Sequence, residues 1–149
     1  MTVTNTSDGG DGLDMSNAKV ELFDVALKGC RSCGLFAPPS TSETTLVATR
    51  CEFANSGDGA IVQGSFTSAT FNDCVFHDNE HDGIYGDDEA TIHLHGEATA
   101  IHSNVNTGIY AYGSGKVLIH LPSNHNTFYN NGGQDRETIE GGTITNVED

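Results

Sequence analysis

Short apolar runs broken by Gly, Asn, Asp and Ser recur along this chain at a spacing of roughly 25 residues, the signature of a stacked repeat. Leu27, Phe53, Phe76, Ile101 and Phe128 are the inward anchors of successive units, separated by 26, 23, 25 and 27 residues. Eight residues after each of the first four anchors stands an aliphatic side chain: Leu35, Ile61, Ile84 and Ile109. Eight after Phe128 stands Arg136, so the rule lapses in the last unit. Within a unit the apolar positions alternate with period two, as in a strand with one buried face, and no window carries a sustained 3.6-residue stripe. The alternation is clearest at ATIHLH (residues 90–95) and KVLIHL (residues 116–121), which point Ile92, Leu94, Val117, Ile119 and Leu121 inward. A unit this small cannot bury its own apolar face. Stacking units with their strands in parallel register gives every inward side chain a neighbour above and below, and predicts an all-β chain.

The turns carry a second regularity. Phe76-His-Asp-Asn79 leads to Gly83-Ile84, Ile101-His-Ser-Asn104 leads to Gly108-Ile109, and Phe128-Tyr-Asn-Asn131 repeats the first half. In this the chain resembles the right-handed parallel β-helix repeat proteins of the pectin-lyase-like group, over residues 20–145 and about five coils. The resemblance implies a single-stranded parallel β-helix, a solenoid, over residues 18–149, and many chemistries and many non-enzymes share that fold. Residues 1–17, rich in Gly, Asp, Thr and Ser, are expected to be an irregular segment or cap. The first coil is placed at residues 18–36, followed by a loop through Pro38-Pro39 to residue 45, then coils at 49–71, 72–97 and 98–124. Residues 125–149 lose the pattern at GGQDRE (132–137), where Asp135, Arg136, Glu137 and Glu140 would form a polar cap. An uncapped end would instead offer unpaired strand edges to another copy, giving a homo-oligomer stacked through the β-helix ends.

Charge narrows the partners. The 149 residues contain 6 Lys plus Arg against 21 Asp plus Glu, a formal net charge of −15. Such a surface repels phosphate backbones, so nucleic acid is excluded as a partner, whereas divalent cations or cationic surfaces suit it. No run of 18 apolar residues marks a membrane span. The N-terminus has neither a basic nor an apolar leader region, so the expectation is a cytosolic protein or an excised domain of a longer one. Cys51 and Cys74 each stand two residues before an anchor and are expected to point inward in adjacent coils as a buried thiol ladder rather than a disulfide. Cys30 and Cys33 form a CxxC with no βαβ setting and no second CxxC, which reads as structural. GGDGLDMSN (9–17) matches part of a calcium-binding nonapeptide, but no second copy follows.

Candidate chemistry lies on the outward positions. One residue after each anchor are Lys28, Ala54, His77, His102 and Tyr129; one after each +8 aliphatic are Phe36, Val62, Tyr85 and Tyr110. Stacking would set an imidazole ladder, His77 and His102, beside an aromatic strip of Phe36, Tyr85 and Tyr110, and these with Tyr129 are the expected binding residues. His77, His81, His102, Tyr85 and Tyr110 are the candidate proton donors and acceptors for polysaccharide chemistry, as in a uronate lyase, epimerase or glycoside hydrolase. Asp78, Glu80, Asp82, Asp87, Asp88 and Glu89 offer oxygen ligands suited to Ca²⁺, although no motif requires a cofactor. His93, His95 and His120 form a second group that stacking would bring together, a possible metal site weighed against surface histidines without ligand duty. Against catalysis on an acidic polymer, no Lys or Arg occurs in residues 51–115 to neutralise a uronate carboxylate. The leading expectation is therefore a non-catalytic module presenting its His/aromatic strip to a glycan or protein partner. A polysaccharide-active enzyme and a self-stacking structural repeat are the alternatives. The absence of Trp weighs against the glycan version, because Trp is the largest stacking surface.

Overall fold

Among the described residues eighteen strands are dealt in rotation to three parallel sheets, so each strand pairs with the strands three places before and after it where those exist. The computed structural model describes residues 1–120 and 127–147. Sheet A contains β1 (Thr2–Val3), β4 (Ala26–Lys28), β7 (Glu52–Ala54), β10 (Val75–His77), β13 (Ala100–His102) and β16 (Thr127–Tyr129). Sheet B contains β2 (Leu13–Asp14), β5 (Cys33–Ala37), β8 (Asp58–Gln63), β11 (Ile84–Asp87), β14 (Ile109–Ala111) and β17 (Arg136–Thr138). Sheet C contains β3 (Lys19–Phe23), β6 (Thr44–Thr49), β9 (Thr67–Asn72), β12 (Thr91–His95), β15 (Lys116–His120) and β18 (Thr143–Val147). The result is a solenoid of six turns with no helix among the described residues.

The anchors superpose as the repeat requires. Leu27 pairs with Phe53, Phe53 with Phe76, Phe76 with Ile101 and Ile101 with Phe128. Phe53 and Phe76 stack with ring centroids 4.7 Å apart, and Phe71 from sheet C meets both edge-on at 5.5 and 5.0 Å. Each such buried side chain contributes about 1.5–3 kcal/mol of transfer free energy, which offsets the ordering of a chain rich in turns. Ile92, Leu94, Val117 and Ile119 are buried as expected; Leu121 lies outside the described residues.

Coil two departs from the +8 rule. Ala60, not Ile61, pairs with both Leu35 and Ile84, so Ala60 and Val62 are fully buried and Ile61 faces outward between Phe36 and Tyr85. The corner of that coil, Ser56-Gly-Asp-Gly59, is one residue shorter than Asn79-Glu-His-Asp-Gly83. A one-residue change flips every following side chain to the other face of the strand. Glycine is the better marker of register, because Gly34, Gly59, Gly83 and Gly108 each immediately precede the first inward residue of sheet B. A Cβ on Gly83 would sit 2.7 Å from the carbonyl oxygen of Gly108 and 2.9 Å from the Asn104 amide nitrogen.

Residues 1–17, expected to be irregular, hold β1 and β2 and place Met15 in the core, which adds a turn to the five of the sequence reading. The nonapeptide-like stretch belongs to that turn. Gly12-Leu13 repeats the Gly34-Leu35 pattern, Leu13 pairs with Leu35, and Asp11 Oδ1 accepts the backbone N–H of Cys33. At the other end Arg136 is in register with the inward Ile109, and its guanidinium lies 4.7 Å from the centre of the partly buried Phe128 ring. All four cysteines are buried and free. The Cys74 thiol donates towards Ala48 O and Asn72 O, and the neighbouring Cys51, with burial adding to it, pushes it well above the ordinary thiol range.

Candidate functional site

The corner between sheets A and B fixes where the outward residues go. Its first residue is in the left-handed conformation in five successive turns: Gly29, Asn55, Asp78, Ser103 and Asn130, with φ between 53° and 66°. Asn, Asp and Gly tolerate that geometry best, which accounts for Asp78 without any ligand. The next residue aims its side chain along the stack. Asn79 Nδ2 donates to Phe53 O in one neighbouring turn and to Asn104 Oδ1 in the other, and Asn104 repeats this with Phe76 O and Asn131 Oδ1. Carboxylates complete the corner: Asp58 Oδ1 accepts the backbone N–H of Asp82, and Asp82 Oδ1 accepts that of Thr107, both at 3.0 Å.

Two outward columns emerge on either side of this corner. On sheet B, Phe36, Ile61, Tyr85 and Tyr110 follow one another in register, and the two tyrosine rings stack at 5.4 Å and 14°. On sheet A, His77 and His102 stack at 5.1 Å and 10°, and His102 stacks on Tyr129 at 4.4 Å and 4°. The imidazole ladder and the aromatic strip thus both exist, on separate sheets with residues 78–83 between them. Val62, expected to face outward, is in the core, and Ile61 takes the outward position.

A shallow groove follows the sheet B column. One part, about 290 Å³, is lined by Asp58, Ile61, His81, Asp82, Tyr85 and Asn106. The adjoining part, about 490 Å³, shares Asp82 and Asn106 and continues past Thr107 and Tyr110 to Glu137. Tyr85 Oη donates to Asp87 Oδ2 at 3.1 Å, and burial and that carboxylate push the phenol above its ordinary value. Burial and nearby carboxylates raise Tyr110 in the same direction. Burial raises Asp82, with Asp58 adding to it against the Thr107 hydrogen bond. His81 is exposed, its Nδ1 3.5 Å from Asp58 Oδ2.

The histidine column is more constrained. His77 has Glu52 Oε1 at 2.6 Å from Nε2 and Asp78 Oδ2 at 2.5 Å from Nδ1, so a carboxylate faces each ring nitrogen. Lys28 reaches the same Glu52 oxygen at 3.2 Å. The hydrogen bond from His77, with help from Lys28, holds Glu52 below its ordinary range. Burial and the neighbouring His77 lower His102 below the ordinary imidazole value.

The acidic residues expected to bind a cation are dispersed. Asp78 turns a corner beside His77, Asp82 caps Thr107, and Asp87 accepts from Tyr85 and from the backbone of Asp88. Glu80 lies on a different groove with Arg31 and Cys30. Among the described residues the one convergent set of three ligand-bearing side chains is His93, His95 and His120, whose donor atoms lie within 4.8 Å of one another on the outer face of sheet C.

A solenoid of parallel strands with an Asn-stacked corner defines a class, and sequence comparison agrees with it. The family model described as "Right handed beta helix region" matches residues 2–132, and the chain belongs to that family. Comparison with curated proteins and with solved structures gave no significant match. No helix of the described residues is long and apolar enough to cross a membrane.

Proposed function

We propose that the chain is a non-catalytic recognition module whose sheet B groove binds a glycan that is neutral or carries amino groups, rather than a uronate. The observation that carries this reading is the in-register column of Ile61, Tyr85 and Tyr110 on the floor of an acid-lined groove, with Phe36 continuing the column in the preceding turn. The stacked phenols present apolar ring edges and hydroxyls to a sugar, and carboxylates beside them accept O–H and N–H donors. A uronate polymer would meet Asp58, Asp82 and Glu137 with no Lys or Arg in residues 51–115 to offset them. The phenols are raised away from ionisation and both His77 nitrogens are held by carboxylates, which disfavours a proton-abstracting role for any of them.

A glycan array containing neutral, amino-sugar and uronate polymers tests the reading. Binding to the first two classes, weakened about tenfold or more by Tyr85→Ala or Tyr110→Ala, is the expected result, since central aromatic anchors commonly carry that much. Binding only to a protein partner, or to uronates, would overturn the glycan assignment. One observation favours a second reading. Asp82, raised by burial beside Asp58, resembles the paired carboxylates of glycoside hydrolases. Release of reducing ends from a bound glycan, abolished by Asp82→Asn, would establish that reading in place of the first.

A further inference from the structure

We propose that His93, His95 and His120 form a binding site for a borderline transition-metal ion, Zn²⁺, Ni²⁺ or Cu²⁺, on the outer face of sheet C. His93 and His95 are two residues apart on β12 and therefore project to the same face. Leu94 pairs with Ile119, so the register places His120 of β15 beside His95 in the next turn. All three are half-buried, and one donor atom from each lies within 4.8 Å of the other two.

The way the rings meet separates this cluster from the other stacked imidazoles. In the His77 column the ring nitrogens of His77 face carboxylates. Here His93 Nδ1 lies 2.7 Å from His120 Nε2, nitrogen against nitrogen, and the His95 ring stacks on His120 at 4.1 Å. Three imidazoles with no carboxylate in the set select nitrogen-seeking ions over Ca²⁺ or Mg²⁺, which take oxygen. With metal–nitrogen bonds of about 2.0–2.1 Å, tetrahedral ligation asks for donor separations of roughly 3.3 Å, within reach by rotating the rings out of their stack. Among the described residues three imidazoles converge, and tetrahedral ligation takes a fourth donor such as water. The net charge of −15 draws cations to the surface. This site is on a different face from the sheet B groove and does not depend on how that groove is used.

The test uses the full chain, titrated separately with Zn²⁺, Ni²⁺, Cu²⁺ and Ca²⁺ by calorimetry, with imidazole NMR following the histidines. One equivalent of at least one of the three transition metals should bind and shift the His93, His95 and His120 ring signals, while Ca²⁺ should not compete. Losing even an outer partner of a ligand costs about 10- to 100-fold in affinity, so His93→Ala, His95→Ala or His120→Ala should each weaken binding by at least about tenfold. His102→Ala should leave it unchanged, with circular dichroism confirming the fold of each variant. Binding that survives in the triple alanine variant would overturn the proposal and move the ion elsewhere, the buried cysteines included. So would displacement by Ca²⁺, or the absence of binding by all three transition metals. The ring signals of the unsubstituted protein decide the matter even if a variant misfolds.

Discussion

Asn79 and Asn104 lie one above the other in successive turns, and the side-chain amide of the first donates to Oδ1 of the second at 2.9 Å. Both are almost completely buried. Asn104 also accepts from the backbone N–H of Asn79 and donates to Phe76 O, so a single side chain satisfies three buried groups of the preceding turn. Leaving a buried polar group unpaired costs about 1–3 kcal/mol. Asn104→Ala should therefore lower the unfolding free energy by at least about 2 kcal/mol, read as a lower urea midpoint at unchanged slope. A change below half a kcal/mol, about the spread of ordinary surface substitutions, would show that the Asn stack is incidental.

Gly83 supports the same corner through what it lacks. A side chain there would press on the Gly108 carbonyl and on the Asn104 amide, and neither can retreat without breaking the stack. Gly83→Ala should cost about 1–3 kcal/mol, as overpacking a tight interior does. Thr70→Ala, on the outer face of sheet C, should cost much less. Equal urea midpoints for the two variants would remove the steric account of the glycine column.

These two positions also show which features the amino-acid sequence exposes. The anchor spacing reveals the stack because inward side chains of a solenoid must repeat with the turn, and Phe53, Phe76 and Ile101 do superpose. Counting from the anchor puts Ile61 on the wrong face because it assumes a corner of constant length, whereas Gly59 reports the shortened corner directly. Residues 1–17 hid their strands because two-residue strands in a Gly/Asp-rich stretch leave almost no alternation to detect. The carboxylates were legible as an acidic cluster but not as backbone caps. Asp58 and Asp82 act on residues about 25 positions away, a relation visible only once the turns are stacked.

Asp82 and the pH dependence of stability form the next prediction. Burial raises its carboxyl above the ordinary value of 3.8, so the folded protein holds that proton more tightly than the unfolded chain. The associated stabilisation is fully present below pH 3.8 and is lost as pH rises through the higher folded value, leaving an ionised, partly desolvated carboxylate at neutral pH. Asp82→Asn keeps an oxygen for the Thr107 N–H and removes the charge. It should raise the urea midpoint at pH 7, with the gain shrinking as the pH approaches that of the protonated acid. A lower midpoint at neutral pH would mean that the charged cap outweighs its desolvation.

Glu52 should behave in the opposite sense. The His77 hydrogen bond, reinforced by Lys28, holds its carboxyl below the ordinary value of 4.5. A carboxylate depressed by folding contributes stability that is present above its unfolded value and is lost as pH falls through the lower folded one. Glu52→Gln should therefore destabilise the protein at neutral pH and have progressively less effect in acid, the reverse of Asp82→Asn. Its side chain is 35% exposed, so the shift should be modest and should shrink with added salt. The two sites sit on opposite sides of the same corner, and urea midpoints of both variants across pH 3 to 7 provide the check. Loss of stability in Glu52→Gln that persisted unchanged at pH 3 would assign the residue a packing role, because a protonated glutamic acid and glutamine differ little in shape and in charge not at all.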